Sequence, residues 1–124
     1  MIKWFFNQGE WLKRKISLDD KYIKKTGNVF INGVQSLVRL PLIQKQRDLK
    51  NNLNTAGFIS GYPGSPLGGY DLELIKAKKL LIENEIDHQQ AINEEIAATS
   101  IWGSQQIEYN NKNKKDGVFG IWYG

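Results

Sequence analysis

The chain has 124 residues, of which 40% are hydrophobic and 24% are charged, a composition typical of one globular domain with a single core. Its formal net charge of +4 is not accompanied by a repeating pattern of basic and aromatic residues, so nucleic-acid binding is disfavoured. The absence of cysteine excludes disulfides and cysteine-ligated zinc or iron–sulfur clusters from this chain.

Residues 1–20 form an aromatic and basic tail. Five of its apolar residues alternate with polar and basic ones: Trp4, Phe5, Phe6, Trp11 and Leu12. Such a stretch can dock on a neighbouring domain or lie on a membrane surface, and docking is favoured because the apolar residues form no clean helical stripe. Charged residues interrupt the apolar core that a secretory signal needs, and no apolar run approaches the ~20 residues of a membrane span. We therefore expect a cytoplasmic protein.

Residues 21–124 are predicted to form the domain, and its first helix begins near Gly33. A brief apolar segment at 29–31 precedes this helix and predicts a first strand. Pro41 predicts a kink or the start of a second helix, because proline lacks an N–H group and clashes with the preceding turn. The helix pattern ends at residues 51–52. Three basic residues on it could clamp a phosphate, but a solvated helix face is the favoured interpretation: Arg39, Lys45 and Arg47.

A glycine-rich loop occupies the centre of the pattern. The apolar run 56–59 breaks into residues 61–69, which contain four glycines, two prolines and a serine, and an apolar-periodic segment follows. This order indicates a strand, a tight loop and a helix. Glycines allow close approach to a ligand, and the following helix N-terminus offers free N–H groups to an anion or a polar ring. An ordinary turn between a strand and a helix has the same composition, so both interpretations stay open.

The second half of the chain continues the alternation. An amphipathic helix with lysines on its outer face is predicted over 72–82, a strand over 88–92, a helix from Asn93 to Ile107, a polar loop over 110–115 and a strand over 117–123. Small residues on the helix that follows Asn93 suggest close packing against another backbone: Ala97, Ala98, Ser100 and Gly103. The order predicts an α/β fold, namely an open, mostly parallel sheet with helices on both faces.

Two places where a strand leads into a helix carry the candidate functional residues. In an open α/β sheet the ligand crevice lies outside the carboxyl ends of the strands, so loop 61–69 and residues 92–95 could face one crevice. A carboxylate at a helix start is also favoured by the helix dipole, so Glu94 could merely cap its helix. His88 is interpreted as structural, because no carboxylate or cysteine stands at ligand spacing from it. Asp116 is interpreted as a turn residue.

The residues 61–66 (Gly-Tyr-Pro-Gly-Ser-Pro) and the pair Asn93-Glu94 resemble the pyrimidine-binding domain of 2-oxoacid:ferredoxin oxidoreductases. The chain is similar to the long, fused indolepyruvate type over residues 16–124, with agreeing runs at 38–42, 46–48, 53–62, 65–71, 102–106 and 117–124. This resemblance implies an incomplete thiamine diphosphate-binding fold. It also implies oxidative decarboxylation of an aryl 2-oxoacid to an acyl-coenzyme A, with electrons passed through iron–sulfur clusters to ferredoxin.

The resemblance also assigns roles to individual residues. Glu94 matches the catalytic glutamate that hydrogen-bonds the ring nitrogen of the aminopyrimidine. Cofactor-binding positions of the family are matched by Tyr62, Pro63, Gly64, Pro66 and Asn93. Ser65 stands where related enzymes carry a hydroxyl residue near the substrate carboxylate, although a helix-capping role is an equal alternative. Close relatives often carry a basic residue where Pro63 stands, which leaves the substrate preference of the loop open.

The family continues beyond Gly124 with the domain that holds the diphosphate and its Mg²⁺. We therefore expect an N-terminal portion or a separately encoded piece, with half a site and no activity alone. Its partners would be coenzyme A, ferredoxin and the remaining domains or subunits of an oligomer that carries the iron–sulfur clusters. The competing hypothesis is a noncatalytic α/β nucleotide-binding or assembly module. The sequence lacks both the dinucleotide-binding glycine fingerprint and the phosphate-loop lysine signature, which disfavours that module.

Overall fold

A computed structural model of the protein describes residues 17–109 and 114–124. Most of the predicted N-terminal tail, including the five apolar residues named above, and most of the loop 110–115 lie outside the described residues. Five α-helices, one 3-10 turn and three strands are described, in the order α1 Asp20–Ile23, α2 Gly33–Lys50, β1 Thr55–Gly61, α3 Gly68–Lys76, α4 Lys78–Glu83, β2 Ile86–Gln90, α5 Glu94–Ser104, the 3-10 turn Ile107–Tyr109 and β3 Gly117–Tyr123.

The three strands form one parallel sheet in the order β2-β1-β3. Residue Gly61 at the end of β1 pairs with Gln90 of β2 on one side and with Tyr123 of β3 on the other. Helices α3 and α4 connect β1 to β2, and α5 connects β2 to β3, as parallel strands require. The carboxyl ends of all three strands therefore lie at the same edge, and the predicted α/β class with a parallel sheet is confirmed.

Helices cover both faces of this sheet. On one face, side chains of β1, β2 and β3 form a core with α2, α3 and α4: Val38, Leu42, Ile59, Tyr70, Leu74, Leu81, Ile86 and Tyr123. On the other face α5 packs on β1 and β3, so closely that a Cβ atom at Gly120 would lie 2.9 Å from Ile101 Cγ2. Of the four small residues on α5, only Ala97 is fully buried, and Gly103 is exposed. The expected close packing thus comes from Ala97 and from the glycine on the opposing strand.

Several predicted boundaries are wrong. Residues 29–31 form no strand, and the Phe30 side chain is fully exposed, since this segment only leads into the N-terminal cap of α2. The helix predicted over 72–82 is interrupted at Ala77, and the helix that follows Asn93 ends at Ser104. The strand predicted over 88–92 occupies Ile86–Gln90, because its polar sequence carries no clear alternation. No helix in residues 17–109 and 114–124 has the length and apolar character needed to cross a membrane.

Helix α2 begins where the sequence predicts and continues through Pro41. Its capping box is complete, because Asn32 Oδ1 accepts from the Gln35 N–H at 2.8 Å and Gln35 Oε1 accepts from the Asn32 N–H at 3.2 Å. Of the two alternatives predicted at Pro41, a kink or the start of a second helix, the second does not occur. Proline leaves the carbonyl of Leu37, four residues earlier, without its usual helical donor. The Tyr70 hydroxyl of α3 donates to this carbonyl at 3.4 Å and so supplies a tertiary replacement.

Two of the three basic residues that the sequence analysis singles out on α2 are structural, contrary to both interpretations of the sequence. The Arg39 guanidinium donates to the backbone carbonyls of Lys21 and Lys24 at 2.6 and 2.5 Å and attaches α1 to α2. The Lys45 side chain is buried and donates to the Thr55 carbonyl at the start of β1 and to Glu85 at 2.6 Å. The third of these residues, Arg47, is exposed, as a solvated face requires. The cationic groups of Arg39 and Lys45 are thus committed to carbonyl and carboxylate oxygens.

The glycines of β1 make room for aromatic rings of β3. Gly57 is paired with Phe119, and a Cβ atom there would lie 2.6 Å from Phe119 Cε2. Gly61 is paired with Tyr123, and a Cβ atom there would overlap both the ring and the carbonyl oxygen of Tyr123. Glycine in a strand interior marks such a close approach. These rings can therefore lie across the central strand and complete the core.

We expect Gly61→Ala to destabilise the protein by about 3 kcal/mol, because its Cβ overlaps a backbone atom that cannot move without breaking the sheet. Gly103→Ala is the matched control. Its Cβ would meet no atom within 4 Å, and alanine in a helix should stabilise the protein by about 0.5–1 kcal/mol. Urea unfolding followed by circular dichroism measures both changes. Equal effects of the two substitutions would contradict the packing described for Gly61.

Stability should also depend on Glu85 at low pH. Hydrogen bonds from Lys115 and Lys45 lower the pKa of Glu85 from 4.5 to about 2. Because the folded-state pKa is depressed, the stabilisation is present above about pH 4.5 and is lost as the pH falls towards 2. We expect Glu85→Gln to cost about 1 kcal/mol near neutral pH, since half of the side chain is exposed and water screens the pairs.

Urea unfolding between about pH 2 and pH 7 tests this dependence. The difference in free energy of unfolding between the wild type and Glu85→Gln should shrink to near zero at the acidic end. Glu83→Gln is the control, because Glu83 is exposed at the end of α4, two residues before Glu85, and has no ion pair among the described residues. A difference for Glu85→Gln that stays constant across this pH range would exclude the ion pairs as its source.

Candidate functional site

The carboxyl-terminal edge of the sheet carries the candidate site. The Gly61 carbonyl at the end of β1 accepts from the Ala91 N–H at 2.9 Å, just after β2, and Tyr123 ends β3 on the other side. The segments that follow the three strands therefore start side by side: loop 62–67, junction 91–94 and Gly124. The structure thus brings the two strand-to-helix junctions that the sequence singles out to the same edge, where open α/β sheets bind ligands.

Glu94 is the first residue of α5 and lies against the end of β3. The preceding Asn93 caps the helix, since its Oδ1 accepts from the Ile96 N–H at 2.9 Å. The Trp122 indole N–H donates to the Glu94 carbonyl at 3.2 Å, and a Cβ atom at Gly124 would lie 2.9 Å from Glu94 Cγ. Within residues 17–109 and 114–124 the Glu94 carboxylate has no hydrogen-bond or ion-pair partner. Its backbone is fixed while its half-buried carboxylate is available to a ligand.

Ser65 makes local hydrogen bonds within the loop. Its N–H donates to the Tyr62 carbonyl at 3.1 Å, and its Oγ accepts from the N–H of Leu67, the N-cap of α3, at 3.2 Å. The side chain is only 8% exposed. These bonds resemble the helix-capping alternative, because the Ser65 hydroxyl bonds a backbone N–H group at the start of α3. A contact of Ser65 with a substrate stays a prediction. The neighbouring Pro63, Gly64 and Pro66 are exposed at the edge.

Gly64 gives space to the ring of Tyr62. A Cβ atom at Gly64 would lie 2.5 Å from Tyr62 Cε1 and 2.7 Å from the Tyr62 hydroxyl oxygen. Its backbone is not in the left-handed region, which Gly27 does adopt with φ of +78°. Glycine is required at position 64 for the close approach of this half-buried ring, and not for an unusual backbone conformation. The Tyr62 ring and the Gly64 backbone thus pack directly against each other within the loop.

A buried polar cluster underlies this edge, and the sequence analysis missed it. Asp71 in the first turn of α3 accepts from the Tyr123 hydroxyl at 2.7 Å and from Gln90 Nε2 at 2.6 Å. His88 Nε2 lies 3.1 Å from the Tyr123 hydroxyl and 3.5 Å from Asp71 Oδ1. Because the single hydroxyl hydrogen of Tyr123 goes to Asp71, His88 Nε2–H donates to the hydroxyl oxygen. The cluster joins α3, β2 and β3.

Burial sets the protonation states in this cluster. It lowers the pKa of His88, and the nearby charge of Asp71 opposes this shift only in part. Burial also raises the pKa of Tyr123, and the hydrogen bond to Asp71 raises it further. Tyr123 therefore stays a hydrogen-bond donor at neutral pH. Tyr70, whose ring stands edge-on to Tyr123 at 5.1 Å, has its pKa raised by burial to about 12.

A positional signal for this cluster exists in the sequence. Asp71 follows the glycine-rich loop within the first turn of a helix, and Tyr123 is the last residue of a predicted strand. Both positions belong to the carboxyl edge of a parallel sheet. The prediction placed the strand two residues too late, so that His88 stood at its start and not in its middle. The contact between His88 and the Asp71 carboxylate was therefore not predicted.

Comparison of the chain with protein-family models, with curated proteins and with solved structures finds no match. In the part of the chain that the structure describes, no three His, Asp or Glu side chains are grouped so that they could hold a metal ion.

We expect Tyr123→Phe to destabilise the protein by about 1–3 kcal/mol, because it removes a donor from the buried Asp71 carboxylate and an acceptor from His88. Tyr109→Phe is the control, since the Tyr109 side chain is 86% exposed, and its effect should stay within about 0.5 kcal/mol. Urea unfolding near neutral pH measures both. A change below about 0.5 kcal/mol for Tyr123→Phe would mean that water replaces the hydroxyl and that the cluster adds little stability.

Proposed function

We propose that this chain forms the pyrimidine-binding side of the cofactor site in a thiamine diphosphate-dependent 2-oxoacid:ferredoxin oxidoreductase that acts on an aryl 2-oxoacid such as indolepyruvate. The observation that carries the proposal is Glu94, whose carboxylate has no partner among the described residues and lies at the carboxyl edge of a parallel sheet beside loop 62–67. The resemblance of residues 61–66 and of Asn93-Glu94 to that family supports the same assignment. Both lines of support concern the same edge of the sheet.

The chemistry of the available groups fits an aminopyrimidine ring. Such a ring needs a carboxyl group at one ring nitrogen, and an acid already committed to a lysine or arginine could not serve. Glu94 is uncommitted among the described residues, unlike Glu85, which binds two lysines. The remaining cofactor contacts would come from the loop and from the helix cap: Tyr62, Pro63, Gly64, Pro66 and Asn93. The Asn93 Oδ1 is used by the cap, so its amide N–H₂ group is the part that can donate to a ligand.

In this proposal Glu94 moves a proton. Bound thiamine diphosphate supplies a carbon nucleophile for the 2-oxo carbon and an electron sink for decarboxylation. In its protonated form, the Glu94 carboxyl group would donate its hydrogen to the ring nitrogen, and the amino group at the other end of the conjugated ring would become more basic. The Ser65 hydroxyl accepts from Leu67 N–H, so its own hydrogen is left to donate to the substrate carboxylate.

The complete reaction would need other chains or domains. It converts the 2-oxoacid and coenzyme A to an acyl-coenzyme A and carbon dioxide, and two electrons go singly to ferredoxin. The iron–sulfur clusters on that route must be held elsewhere, because this chain has no cysteine. By the resemblance, another domain holds the diphosphate and Mg²⁺. We propose a cytoplasmic location for the assembled enzyme, in which this chain supplies one side of the cofactor crevice.

Titration of the ¹⁵N-labelled chain with thiamine diphosphate and Mg²⁺, followed by NMR, tests the proposal. We expect binding of about millimolar Kd, because this chain would offer only the pyrimidine side of the site. The amide shifts should be confined to residues 62–66 and 93–95. Glu94→Gln should weaken binding severalfold, whereas Glu95→Gln, an exposed neighbour on the same helix turn, should not. Equal weakening by both variants, or no shift at either segment, would overturn the assignment.

The same pair of variants separates binding from chemistry in the assembled oxidoreductase. Glutamine keeps the shape of Glu94 but cannot give and regain a proton, so Glu94→Gln should lower indolepyruvate-dependent reduction of a ferredoxin substitute by about two to four orders of magnitude. Cofactor content should fall much less. Near-normal turnover of Glu94→Gln would remove this residue from the mechanism even if the cofactor binds as proposed.

A further inference from the structure

His88 is the single histidine of the chain, and it is buried in the polar cluster beneath the carboxyl edge. It lies in the middle of β2, and its side chain is only 5% exposed. Its neutral ring serves the cluster through one nitrogen, because Nε2–H donates to the Tyr123 hydroxyl oxygen. The proton transfer proposed above uses Glu94. The cluster therefore contains a buried titratable group without a role in that chemistry.

A second proton on His88 would bind to Nδ1, and this nitrogen has no acceptor beside it. Nδ1 makes no hydrogen bond with the described residues. It is not fully enclosed, since those residues contain no completely buried side-chain nitrogen or oxygen without a partner. A proton can therefore reach Nδ1 from water, but the new N–H group would meet no described acceptor. The nearest carboxylate, Asp71, lies 3.5 Å from the other ring nitrogen and already accepts from Tyr123 and Gln90.

The charges that face His88 come from three elements. Asp71 on α3 and Asp87 on β2 favour a positive ring, whereas Lys78 on α4 opposes it. The neighbouring strand β1 has no titratable side chain, and Tyr123 on β3 stays a neutral hydroxyl group because burial raises its pKa. Burial of His88 outweighs the two carboxylates, so its pKa lies below the ordinary value of 6.5. The closed cluster thus keeps the neutral ring at neutral pH.

Acid therefore favours an open form, in which the ring of His88 leaves the cluster. An exposed histidine binds a proton as the pH falls through 6.5, whereas the closed cluster does so only at lower pH. The stabilisation from the neutral ring is complete above pH 6.5 and is lost as the pH falls below that value. The ratio of open to closed form should rise by at most about tenfold between about pH 7.5 and pH 5.5.

We propose that His88 is an acid-sensitive switch that loosens the carboxyl edge of the sheet when it binds a second proton. The part that opens is the contact between the first turn of α3, the middle of β2 and the end of β3, since Asp71, His88 and Tyr123 join these elements. Loop 62–67 leads directly into that turn of α3, so the loop loses support when the contact opens. The switch uses only the described fold, whereas its effect on a ligand rests on the proposed function.

NMR on the full chain tests the switch in the wild-type protein. The ring signals of His88 are unambiguous because the chain has one histidine, and they should titrate below pH 6.5. Hydrogen exchange then compares two backbone amides: Ala91 N–H, bonded to the Gly61 carbonyl at the carboxyl edge, and Gly57 N–H, bonded to the Glu85 carbonyl at the amino edge. Between about pH 7.5 and pH 5.5 the protection factor of Ala91 should fall by up to about tenfold, and that of Gly57 should not change.

A matched pair of variants assigns the effect to the position of His88. His88→Gln removes the titration but keeps an amide that can donate to Tyr123, so the protection of Ala91 should become independent of pH in this range. Gln89→His, added to His88→Gln, should not restore the dependence, because Gln89 is exposed on the same strand and a histidine there titrates outside the cluster.

Three results would overturn the switch. One is a His88 ring that titrates at or above pH 6.5. Another is an equal loss of protection at Ala91 and Gly57 in the wild type, which would indicate global unfolding only. The third is a pH dependence of Ala91 that survives in His88→Gln. If His88→Gln does not fold, the two wild-type measurements still decide.

Ligand binding is measured separately. Thiamine diphosphate with Mg²⁺ should bind the wild type less tightly at about pH 5.5 than at pH 7.5, by up to about tenfold more than it does for His88→Gln. The variant corrects for titration of the ligand itself. Equal changes in both proteins would exclude control of the site by His88. An edge that opens with acid but binds no thiamine diphosphate at either pH would overturn the proposed function and leave the switch standing.

Discussion

The hydrogen bond from the Tyr123 hydroxyl to the buried Asp71 carboxylate organises the carboxyl edge of the sheet. The Tyr123 ring crosses Gly61 of the central strand, and its hydroxyl reaches the first turn of α3 on the far side. A buried carboxylate without donors would be costly, so Asp71 holds β3 and, through Gln90, β2 in place. The loop after β1 and the start of α5 both begin from strands held by this contact.

The two edges of the sheet use charge in opposite ways. At the amino edge, where the three strands begin, the buried Lys45 donates to the Thr55 carbonyl and to Glu85, so its charge is satisfied inside the fold. At the carboxyl edge, Asp71 takes up the internal donors, and Glu94 has no partner among the described residues. An acid without a partner among the described residues, beside a partly exposed loop, is the feature from which a ligand-directed role is inferred. Among the described residues, no carboxylate at the amino edge is comparable, because Glu85 there is bound by two lysines.

Local patterns in the sequence determined the elements that depend on neighbours along the chain. The start of α2 at Gly33 and the start of α5 at Glu94 follow from capping by Asn32 and Asn93, whose side chains bond backbone groups three residues ahead. The strand before the glycine-rich loop and the strand at 117–123 follow from their apolar composition, and the alternation of strands and helices determined the parallel sheet. The convergence of the two junctions at one edge then followed from topology.

Only the tertiary structure decided the features that depend on residues far apart in sequence. Asp71, His88 and Tyr123 meet because three strands pair in register, and no local spacing encodes that meeting. The same holds for the passage of α2 through Pro41, since the hydroxyl that satisfies the orphaned carbonyl comes from Tyr70 on another helix. Local patterns act over one turn or one strand, whereas burial and hydrogen-bond satisfaction are properties of the packed whole.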